Sequence, residues 1–544
     1  MIQSSFFQQA WNLIKLNVSH NSFTGPIPTS LCINSPVVKL LDFSSNHHSG
    51  RIPGGLGGCS KLEVFRAGSN SLSGLLPHDM YNLAGLKELS LPLNHLSGPI
   101  SNDIVNLTKL TNLELYYNEL SGKLPLNIGK LSKLKHLLLY MNHLTGSLPP
   151  SLMNCTNLME LNLRFNSFEG DISTLNFSSL IHLTILDLGS NNFTGAITIL
   201  MGSKNLSILI LAKKFLHEAM PTDDSLDGSD GFKSLRVLAL GGCQLTVQLP
   251  TWISKLKKLE ALDLTLNRIT GPIPGWLSTL PRLFSLDLSN NLISGEFPKE
   301  LCGLPALVSE QNRALVNQSY LKVPISIYRN GTNYQYNYIS YMPQAIYLRN
   351  NSLHGNIPIE IGHLHLLHVL DLSYNNFSGN IPDQLSELTN LEKLDLSANQ
   401  LSGKILASLT TLHFLSWFSV ANNNIQGPIP SSTQFQTFGT SAYEGNPGLC
   451  GAPLPNECAQ IISNNGDKGI QDEEEEWLGV PWFHVSVVLG FITGFWGVCG
   501  PLLFNYHWRV ACFQFLDNVK YRLNMLLAAY MAVPPKRRLE PQSS

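Results

Sequence analysis

The residues best suited to binding chemistry are an aromatic run and two arginines. Tyr334, Tyr336 and Tyr338 alternate along the chain, so an extended strand would place all three rings on one face. Tyrosine offers a large, stiff contact area with a polar tip, as binding surfaces require. Arg329 and Arg349 carry planar guanidinium groups that pair well with a sulfate or a carboxylate. This pattern predicts recognition of an anionic ligand.

The residue pattern does not support a catalytic function. No nucleophile, base and orienting group fall into one recognisable pocket signature, and we expect no metal and no cofactor. Several histidines are scattered over repeat surfaces, and we interpret them as solvated: His20, His47, His48, His78 and His95. The net charge of -2 suggests no nucleic-acid partner. A binding protein is therefore expected, and not an enzyme.

The three tyrosines lie in a segment that interrupts a regular chain. Asn291 and Asn351 are 60 residues apart, whereas neighbouring repeats need about 24, which places an insertion at about 308–342. Its tyrosine content argues against disorder, and long insertions in compact repeats are otherwise usually functional. Asn317 and Asn330 could carry glycans, so the insertion should lie outside the core.

The element that must position these residues is a coil that recurs along the chain, as in Leu370–Pro382. Leu370 and Leu372 alternate like a short half-buried strand, Asn375 satisfies stranded backbone groups at a turn, and Gly379 tolerates a positive φ. The asparagine slot recurs at Asn21, Asn46, Asn70, Asn94, Asn118, Asn142, Asn166, Asn191, Asn267, Asn291, Asn351, Asn375, Asn399 and Asn423. Lys214 and Cys243 fill two further slots, and only the cysteine is an accepted substitute. About sixteen stacked repeats predict an α/β leucine-rich repeat solenoid, a right-handed superhelix with a concave parallel β-sheet.

Residues two, four and six places before each asparagine should point to the concave face. Ser289 and Ser373 then lie on that face beside the insertion, and we include them with the tyrosines and arginines as ligand-binding candidates. Other residues on this face are open to two interpretations, solvated strand surface or ligand floor: Arg66, Glu114, Tyr116, Tyr140, Asn162 and Arg164. Four aspartates within 221–232 predict a solvated acidic loop, because their spacing does not match a calcium-binding EF-hand.

Cysteines and acceptor asparagines indicate a secreted surface. Cys450 and Cys458 are expected to form a disulfide that closes a C-terminal cap at 441–458. Four others are interpreted as buried apolar residues instead of bridges: Cys32, Cys59, Cys155 and Cys302. Ten Asn-x-Ser/Thr sites favour glycosylation: Asn17, Asn106, Asn154, Asn176, Asn192, Asn205, Asn317, Asn330, Asn350 and Asn376.

Beyond the repeat ectodomain (1–440) and the cap, the composition predicts a membrane anchor. An acidic linker at 459–476 precedes a transmembrane segment at 477–508 and a short basic cytoplasmic tail at 509–544. Gly490, Gly494 and Gly497 form a small-residue face on which another helix could pack. The sequence before residue 13 does not read as a signal peptide, so we expect an export signal and an N-terminal cap upstream of Met1. The tail carries no kinase motif.

The repeat pattern at Leu391–Ile405 resembles the plant extracellular leucine-rich-repeat class. The Gly-Asn-Pro-Gly-Leu-Cys cap ending at Cys450, the acidic block, the single span and the basic tail are similar to plant receptor-like proteins. The insertion, together with Phe65–Asn70 and Tyr347–Asn351, resembles the island subgroup of phytosulfokine and tyrosine-sulfated glycopeptide receptors. The chain departs from those receptors by lacking a kinase, a signal peptide and an N-terminal cap.

This resemblance implies a kinase-less, single-pass plasma-membrane receptor in contact with membrane lipid. It would bind an extracellular peptide, tyrosine-sulfated in that subgroup, and signal through a co-receptor and adaptor receptor kinases. Two other functions remain open on the same architecture, namely an immune receptor for microbial or cell-wall elicitors and an inhibitor of wall-degrading enzymes.

Overall fold

The computed structural model describes residues 12–28, 31–212, 231–311, 322–329, 332–431 and 433–458. Lys214, Asn317, Asn330 and the acidic loop lie outside these residues, as do the predicted linker, span, tail and glycine face at Gly490, Gly494 and Gly497. Among the described residues, no helix has the length and apolar character needed to cross a membrane.

The described residues build a solenoid around one long parallel sheet of 16 strands, which we call the main sheet. We number the coils 1 to 16 after its strands, which are Lys15–Asn17, Leu40–Asp42, Val64–Arg66, Glu88–Ser90, Asn112–Glu114, His136–Leu138, Glu160–Asn162, Ile185–Asp187, Ile208–Ile210, Val237–Ala239, Ala261–Asp263, Ser285–Asp287, Ala345–Tyr347, Val369–Asp371, Lys393–Asp395 and Trp417–Ser419. This confirms the predicted repeat number and the predicted parallel sheet.

A second layer of short parallel strands follows the asparagine of most coils. Eight pair in one sheet, namely Thr24–Gly25, His47–Arg51, Ser71–Gly74, His95–Pro99, Glu119–Gly122, His143–Gly146, Ser167–Asp171 and Asn192–Thr194. Seven pair in another, namely Thr270–Gly271, Leu292–Glu296, Ser352–Asn356, Asn376–Asn380, Gln400–Gly403, Asn424–Pro428 and Gly448–Cys450. Gly379 lies in this layer at φ 74, as predicted.

Short helices close the coils. The α-helices are Leu31–Asn34, Pro305–Val308 and Thr433–Thr437. The 3-10 helices are Leu56–Gly58, His78–Asn82, Asn102–Asn106, Ile128–Lys130, Pro150–Asn154, Ile172–Thr174, Phe177–Ser179, Ile197–Gly202, Thr251–Lys255, Gly275–Thr279, Lys299–Gly303, Ile339–Tyr341, Ile359–His363, Asp383–Glu387, Ala407–Thr411 and Thr440–Ala442. Leucines and isoleucines from both strand layers and from these helices meet in one continuous core.

The asparagine ladder ties successive coils together. Asn375 Nδ2 donates to the carbonyl oxygen of Leu348 in the preceding coil at 2.9 Å, while its Oδ1 accepts from the N–H of Leu353 at 3.1 Å. Tyr374, just before it, takes the left-handed conformation that makes the turn (φ 56). Cys243 replaces asparagine in coil 10, where its Sγ donates to the carbonyl of Leu211 at 3.4 Å.

The cap continues the ladder. Asn446 donates to the carbonyl of Val420 at 2.9 Å and accepts from the N–H of Ile425 at 3.0 Å. The Cys450–Cys458 disulfide is present, as predicted. The cap therefore satisfies the backbone groups of coil 16 that a seventeenth coil would otherwise satisfy.

Two predictions about single residues were wrong. Cys32 and Cys59 form a disulfide, with 4.7 Å between their Cα atoms, because they project toward each other from adjacent coils. Cys155 and Cys302 are free and buried, as predicted, and burial raises their thiol pKa to about 11 and about 12 respectively.

The second error concerns His48, which we expected to be solvated. It is fully buried, because it occupies the inward position of the strand His47–Arg51 that leucine occupies in neighbouring coils, as at Leu72 and Leu96. Its Nδ1 lies 3.0 Å from the carbonyl oxygen of Gly25, and burial lowers its pKa. The imidazole therefore acts as a core side chain.

The glycosylation candidates are accessible wherever the structure describes them. All eight described acceptor asparagines are exposed: Asn17, Asn106, Asn154, Asn176, Asn192, Asn205, Asn350 and Asn376. Exposure is a requirement for modification, and occupancy stays a prediction.

Candidate functional site

The predicted insertion contains an antiparallel hairpin between coils 12 and 13. Its strands are Lys322–Arg329 and Thr332–Tyr338. The predicted tyrosines occupy alternate positions of the second strand, and their register partners are Ile327 for Tyr334, Ile325 for Tyr336 and Lys322 for Tyr338. The extended conformation that the alternation predicted is therefore present, and Arg329 ends the first strand.

The ends of the insertion are fixed in the solenoid core. Leu307 and Ile339 are fully buried, and Met342 is 3% exposed. The backbone N–H of Leu366 in coil 14 donates to the carbonyl of Leu307 at 2.9 Å. The hairpin thus leaves and re-enters the core at defined points shortly before the main-sheet strand of coil 13.

Arg349 lies on this solvent face in coil 13, the first coil after the insertion. Its Nη1 donates to Ser373 Oγ at 3.1 Å, and its guanidinium carbon lies 4.3 Å from the centre of the Tyr374 ring. Ser373 Oγ in turn donates to Asp371 Oδ1 at 2.6 Å. Because Ser373 is fully buried, it orients the guanidinium and has no surface of its own to offer a ligand.

The Arg349 guanidinium keeps its charge available. Within the part of the chain that the structure describes, no carboxylate oxygen lies within 4.0 Å of it. Ser289 occupies the equivalent position in coil 12 and is 6% exposed, and its backbone N–H donates to Asp287 Oδ1 at 3.1 Å. The predicted residues Ser289, Arg349 and Ser373 therefore form one row across three adjacent coils.

Sequence reasoning missed aromatic and cationic residues near this row, of which Lys393 and Trp417 lie six places before the asparagine of their coils. Lys393 Nζ lies 3.3 Å from Asp371 Oδ2 and 5.6 Å from the centre of the Trp417 ring. Tyr374 and Trp417 are 49% and 55% exposed. We call Arg349, Tyr374, Lys393 and Trp417 the cation–aromatic surface. Counting back from the asparagine of each coil would have placed Lys393 and Trp417 on the solvent face.

The remaining residues predicted for this face make contacts among themselves. Arg66 Nε donates to Glu88 Oε1 at 2.5 Å, and this contact raises the Arg66 pKa. The rings of Tyr116 and Tyr140 stack with centres 4.4 Å apart, and burial raises the pKa of both phenols.

Coils 7 and 8 carry a more deeply buried pair. Arg164 and Asp187 are 2% and 1% exposed, and their Nη1 and Oδ2 atoms lie 3.7 Å apart. Burial raises the Asp187 pKa to about 6, against the opposing charge of Arg164. Asn162 is also buried and accepts from the backbone N–H of Arg164 at 3.2 Å. These side chains hold adjacent coils together, so neither full solvation nor an open ligand floor describes them well.

Comparison with known proteins identifies the repeats and their relatives. A model described as "Leucine-rich repeat region" matches residues 46–310, and one described as "Leucine Rich Repeat" matches 12–33, 366–388 and 390–412. The chain is 56% identical to Receptor-like protein 3 of Arabidopsis thaliana over 90% of this chain and 72% of that protein. It is 58% identical to Phytosulfokine receptor 2 of the same plant over 50% of this chain but only 26% of the receptor.

Solved structures of plant receptor ectodomains share the fold. The ectodomain of the Arabidopsis membrane receptor kinase GASSHO1/SCHENGEN3, bound to CASPARIAN STRIP INTEGRITY FACTOR 2, matches with a TM-score of 0.65 and 31% identity, covering 84% of this chain and 52% of that one. The Arabidopsis receptor kinase HAESA, in complex with the peptide hormone IDA and the co-receptor SERK1, matches with a TM-score of 0.50 and 29% identity, covering 85% and 86%. With its asparagine-laddered coils and its similarity to Receptor-like protein 3, this chain belongs to the plant leucine-rich repeat receptor-like proteins.

Proposed function

We propose that this chain is a cell-surface receptor for an extracellular peptide that carries an anionic group such as a sulfated tyrosine. The ligand is held between the insertion hairpin and the cation–aromatic surface, and the signal passes to partner receptor kinases. The observation that carries this proposal is Arg349, a cation without a carboxylate partner among the described residues, held by Ser373 over the Tyr374 ring in the first coil after the insertion.

The geometry suits an anionic, aromatic ligand group. A guanidinium presents paired N–H donors that match two oxygens of a sulfate or carboxylate. Because Ser373 and Tyr374 already restrict the Arg349 side chain, less conformational entropy is lost when a ligand binds. The exposed rings of Tyr374 and Trp417 add flat surface for aromatic or apolar ligand side chains.

The relatives support a peptide ligand and a kinase partner. One relative is named as a phytosulfokine receptor, and two structural neighbours are receptor ectodomains in complex with CASPARIAN STRIP INTEGRITY FACTOR 2 and with the peptide hormone IDA. The HAESA complex also contains the co-receptor SERK1. We propose the same division of labour here, with a plasma-membrane span at 477–508 and contact to a partner helix through Gly490, Gly494 and Gly497.

The ligand proposal is tested with phytosulfokine and its unsulfated form as probes on the full-length chain. We expect the sulfated peptide to bind more tightly, and Arg349→Gln to weaken it by roughly ten- to hundredfold, since a hydrogen bond to a charged group contributes about 1.5–3 kcal/mol. Arg268→Gln is the matched control, because Arg268 is exposed and precedes the buried Ile269 on the second-sheet side of coil 11. A second variant replaces 322–338 by a glycine–serine segment and retains the core residues Ile339 and Met342.

Two results would contradict the proposal. The first is equal affinity for sulfated and unsulfated peptide. The second is unchanged affinity of both the Arg349→Gln and the hairpin-replacement variants. Binding of a microbial elicitor in place of the sulfated peptide would favour the immune-receptor alternative instead.

A further inference from the structure

A cleft separate from the cation–aromatic surface opens at the edge of the main sheet where its strands begin. It has a volume of about 650 Å³ and spans coils 7 to 12. Its lining residues form two rows. Ser207 and Arg236 belong to the row that directly precedes a strand, and Lys258 and Arg282 belong to the row that lies three residues before a strand begins. A cleft of this size accommodates a small-molecule ligand.

The floor of the cleft is a buried ion pair that is already complete. Arg236 Nε and Nη2 donate to the two carboxylate oxygens of Glu260 at 3.0 and 2.7 Å. Arg236 is 8% exposed and Glu260 is fully buried. The pair neutralises itself, so it provides a rigid polar base without attracting a charged ligand.

The rim, in contrast, carries two cations that form no ion pair with the described residues, although the buried Glu260 carboxylate attracts Arg282 from a longer distance. Lys258 and Arg282 occupy equivalent positions in coils 11 and 12, and no carboxylate oxygen of the described residues lies within 4.0 Å of either side chain. Adjacent strands are about 4.8 Å apart, so the two positive charges are close enough to repel each other. A bound anion would relieve that repulsion.

Some charges elsewhere on the same edge are paired. Lys87 Nζ lies 2.6 Å from Glu63 Oε2, and His368 Nδ1 lies 3.1 Å from Glu392 Oε1. Lys109 and Lys133 occupy the equivalent positions of coils 5 and 6, and no carboxylate oxygen of the described residues lies within 4.0 Å of either side chain. The cleft itself, and not the unpaired charge alone, therefore distinguishes Lys258 and Arg282.

The walls favour a ligand rich in hydroxyl groups. Thr184 and Ser207 already donate their hydroxyl protons to the carbonyls of Met159 and Asn205 at 2.9 and 3.4 Å, so both offer acceptor lone pairs to ligand hydroxyls. Ser234 adds a further hydroxyl, and Met159 is the one apolar side chain among the lining residues. We propose that the cleft binds an acidic saccharide, with the sugar carboxylate between Lys258 and Arg282 and the ring hydroxyls on the threonine and serines. This site is independent of the proposed peptide function.

The test measures binding of D-glucuronate, D-glucose and inorganic sulfate to the full-length chain by calorimetry. Asn205, a predicted glycan acceptor, lines the cleft, so every protein carries Asn205→Gln to keep a glycan from the opening. We expect glucuronate to bind, glucose to show no measurable binding, and sulfate to bind more weakly than glucuronate because it cannot use the hydroxyl walls.

Two double variants distinguish the site from general electrostatics. Lys258→Gln with Arg282→Gln should weaken glucuronate binding at least about tenfold, since two charge-assisted contacts are lost. Lys109→Gln with Lys133→Gln removes the same charge at equivalent, exposed positions of coils 5 and 6 outside the cleft, and should leave affinity unchanged. Sulfated-peptide binding should be unaffected by either pair.

Three results would overturn the proposal. They are absence of glucuronate binding in the parent protein, equal weakening by the two double variants, and sulfate binding as tight as glucuronate. The last result would reduce the cleft to a simple oxyanion site. None of these results bears on Arg349, so the two proposals fail separately.

Discussion

Replacing one ladder asparagine tests how the solenoid is held together. Asn118 Nδ2 donates to the carbonyl oxygens of Leu91 and Leu115, both at 3.0 Å, and more weakly to Tyr116 at 3.3 Å. Its Oδ1 accepts from the backbone N–H of Leu96 at 3.0 Å. Asn118→Ala therefore removes one hydrogen bond from each of four backbone groups around the turn of coils 4 and 5.

The magnitude follows from the groups left unpaired. The Tyr116 carbonyl keeps its bond from the Leu93 N–H, and the carbonyls of Leu91 and Leu115 keep bonds from Asn94 Nδ2 at 3.3 Å and Asn142 Nδ2 at 3.0 Å. The main loss therefore falls on the Leu96 N–H, which is left without a partner. An unsatisfied buried polar group costs about 1–3 kcal/mol. For this one group, we expect the free energy of local opening to fall by about 1–3 kcal/mol. At 1.4 kcal/mol per factor of ten, exchange of the Leu96 amide should accelerate by roughly 5- to 100-fold.

The assay is hydrogen–deuterium exchange of the full-length chain, read by mass spectrometry on peptides that contain Leu96. Local exchange is preferable to a single melting temperature, because stacked repeats unfold in parts. Asn127→Ala is the matched control, since Asn127 is exposed and its side chain makes no capping hydrogen bond. An Asn118→Ala protein whose Leu96 peptide exchanges within about threefold of the parent rate would refute the ladder argument.

Three further predictions concern other parts of the chain. Non-reducing peptide mapping should recover Cys32 linked to Cys59, with Cys155 as a free thiol; reducing that bond should destabilise the first coils by roughly 3 kcal/mol, as expected for a loop of this length. The raised Asp187 pKa of about 6 opposes folding above pH 6, where the folded protein must bury the charged carboxylate. Stability should therefore rise as pH falls from 7 toward 4, by about 1.4 kcal/mol per unit of pKa shift. Trp417→Ala should weaken binding of the sulfated peptide about tenfold without loss of stability, because the ring is 55% exposed and belongs to the cation–aromatic surface.

Each of these predictions has a contradicting result. A mixed disulfide that contains Cys155 would refute the cysteine assignment. An Asp187→Asn protein whose stability keeps the full rise of the parent between pH 7 and pH 4 would show that another group titrates. Sulfated-peptide affinity that is unchanged by Trp417→Ala would remove that ring from the ligand-binding surface.

The solenoid was predictable because its information is local and repeated. The residues equivalent to Asn375, Leu370 and Leu372 have the same structural role in successive coils, so the structure of one coil predicts that of the others. The same logic explains why Cys243 fits, since its thiol still donates to the carbonyl that an asparagine amide would reach. Asn446 was missed as the last ladder residue, although it follows Asn423 at nearly the repeat spacing.

The cysteine error shows what local reasoning leaves out. Cys59 and Cys155 both follow a 3-10 helix at the same place in their coils. Only Cys59 has a cysteine opposite it in the neighbouring coil, whereas Cys155 Sγ donates to the carbonyl of Ile128. Disulfide formation depended on the residue at the facing position of the neighbouring coil. The 27-residue separation of Cys32 and Cys59, close to one repeat, was the available indication that they face each other.

The candidate site was predicted only in part for a related reason. Arg349 could be placed on the solvent face by counting back from Asn351, but its contacts to Ser373 and Tyr374 come from the next coil. His48 shows the opposite case, because its register position alone indicated burial and its polar character misled the interpretation. Predicting side-chain contacts between coils requires coordinates, whereas the repeat pattern alone predicts which positions point inward or outward.

The central claim is that a sulfated peptide contacts the insertion hairpin and the cation–aromatic surface together. The most direct measurement is crosslinking of the full-length chain with phytosulfokine that carries a photoreactive phenylalanine, followed by mass-spectrometric mapping. We predict crosslinks within 322–338 and within 345–374, suppressed by an excess of unlabelled sulfated peptide. Crosslinks confined to coils 1–8, or crosslinks that unsulfated peptide suppresses equally well, would contradict the claim.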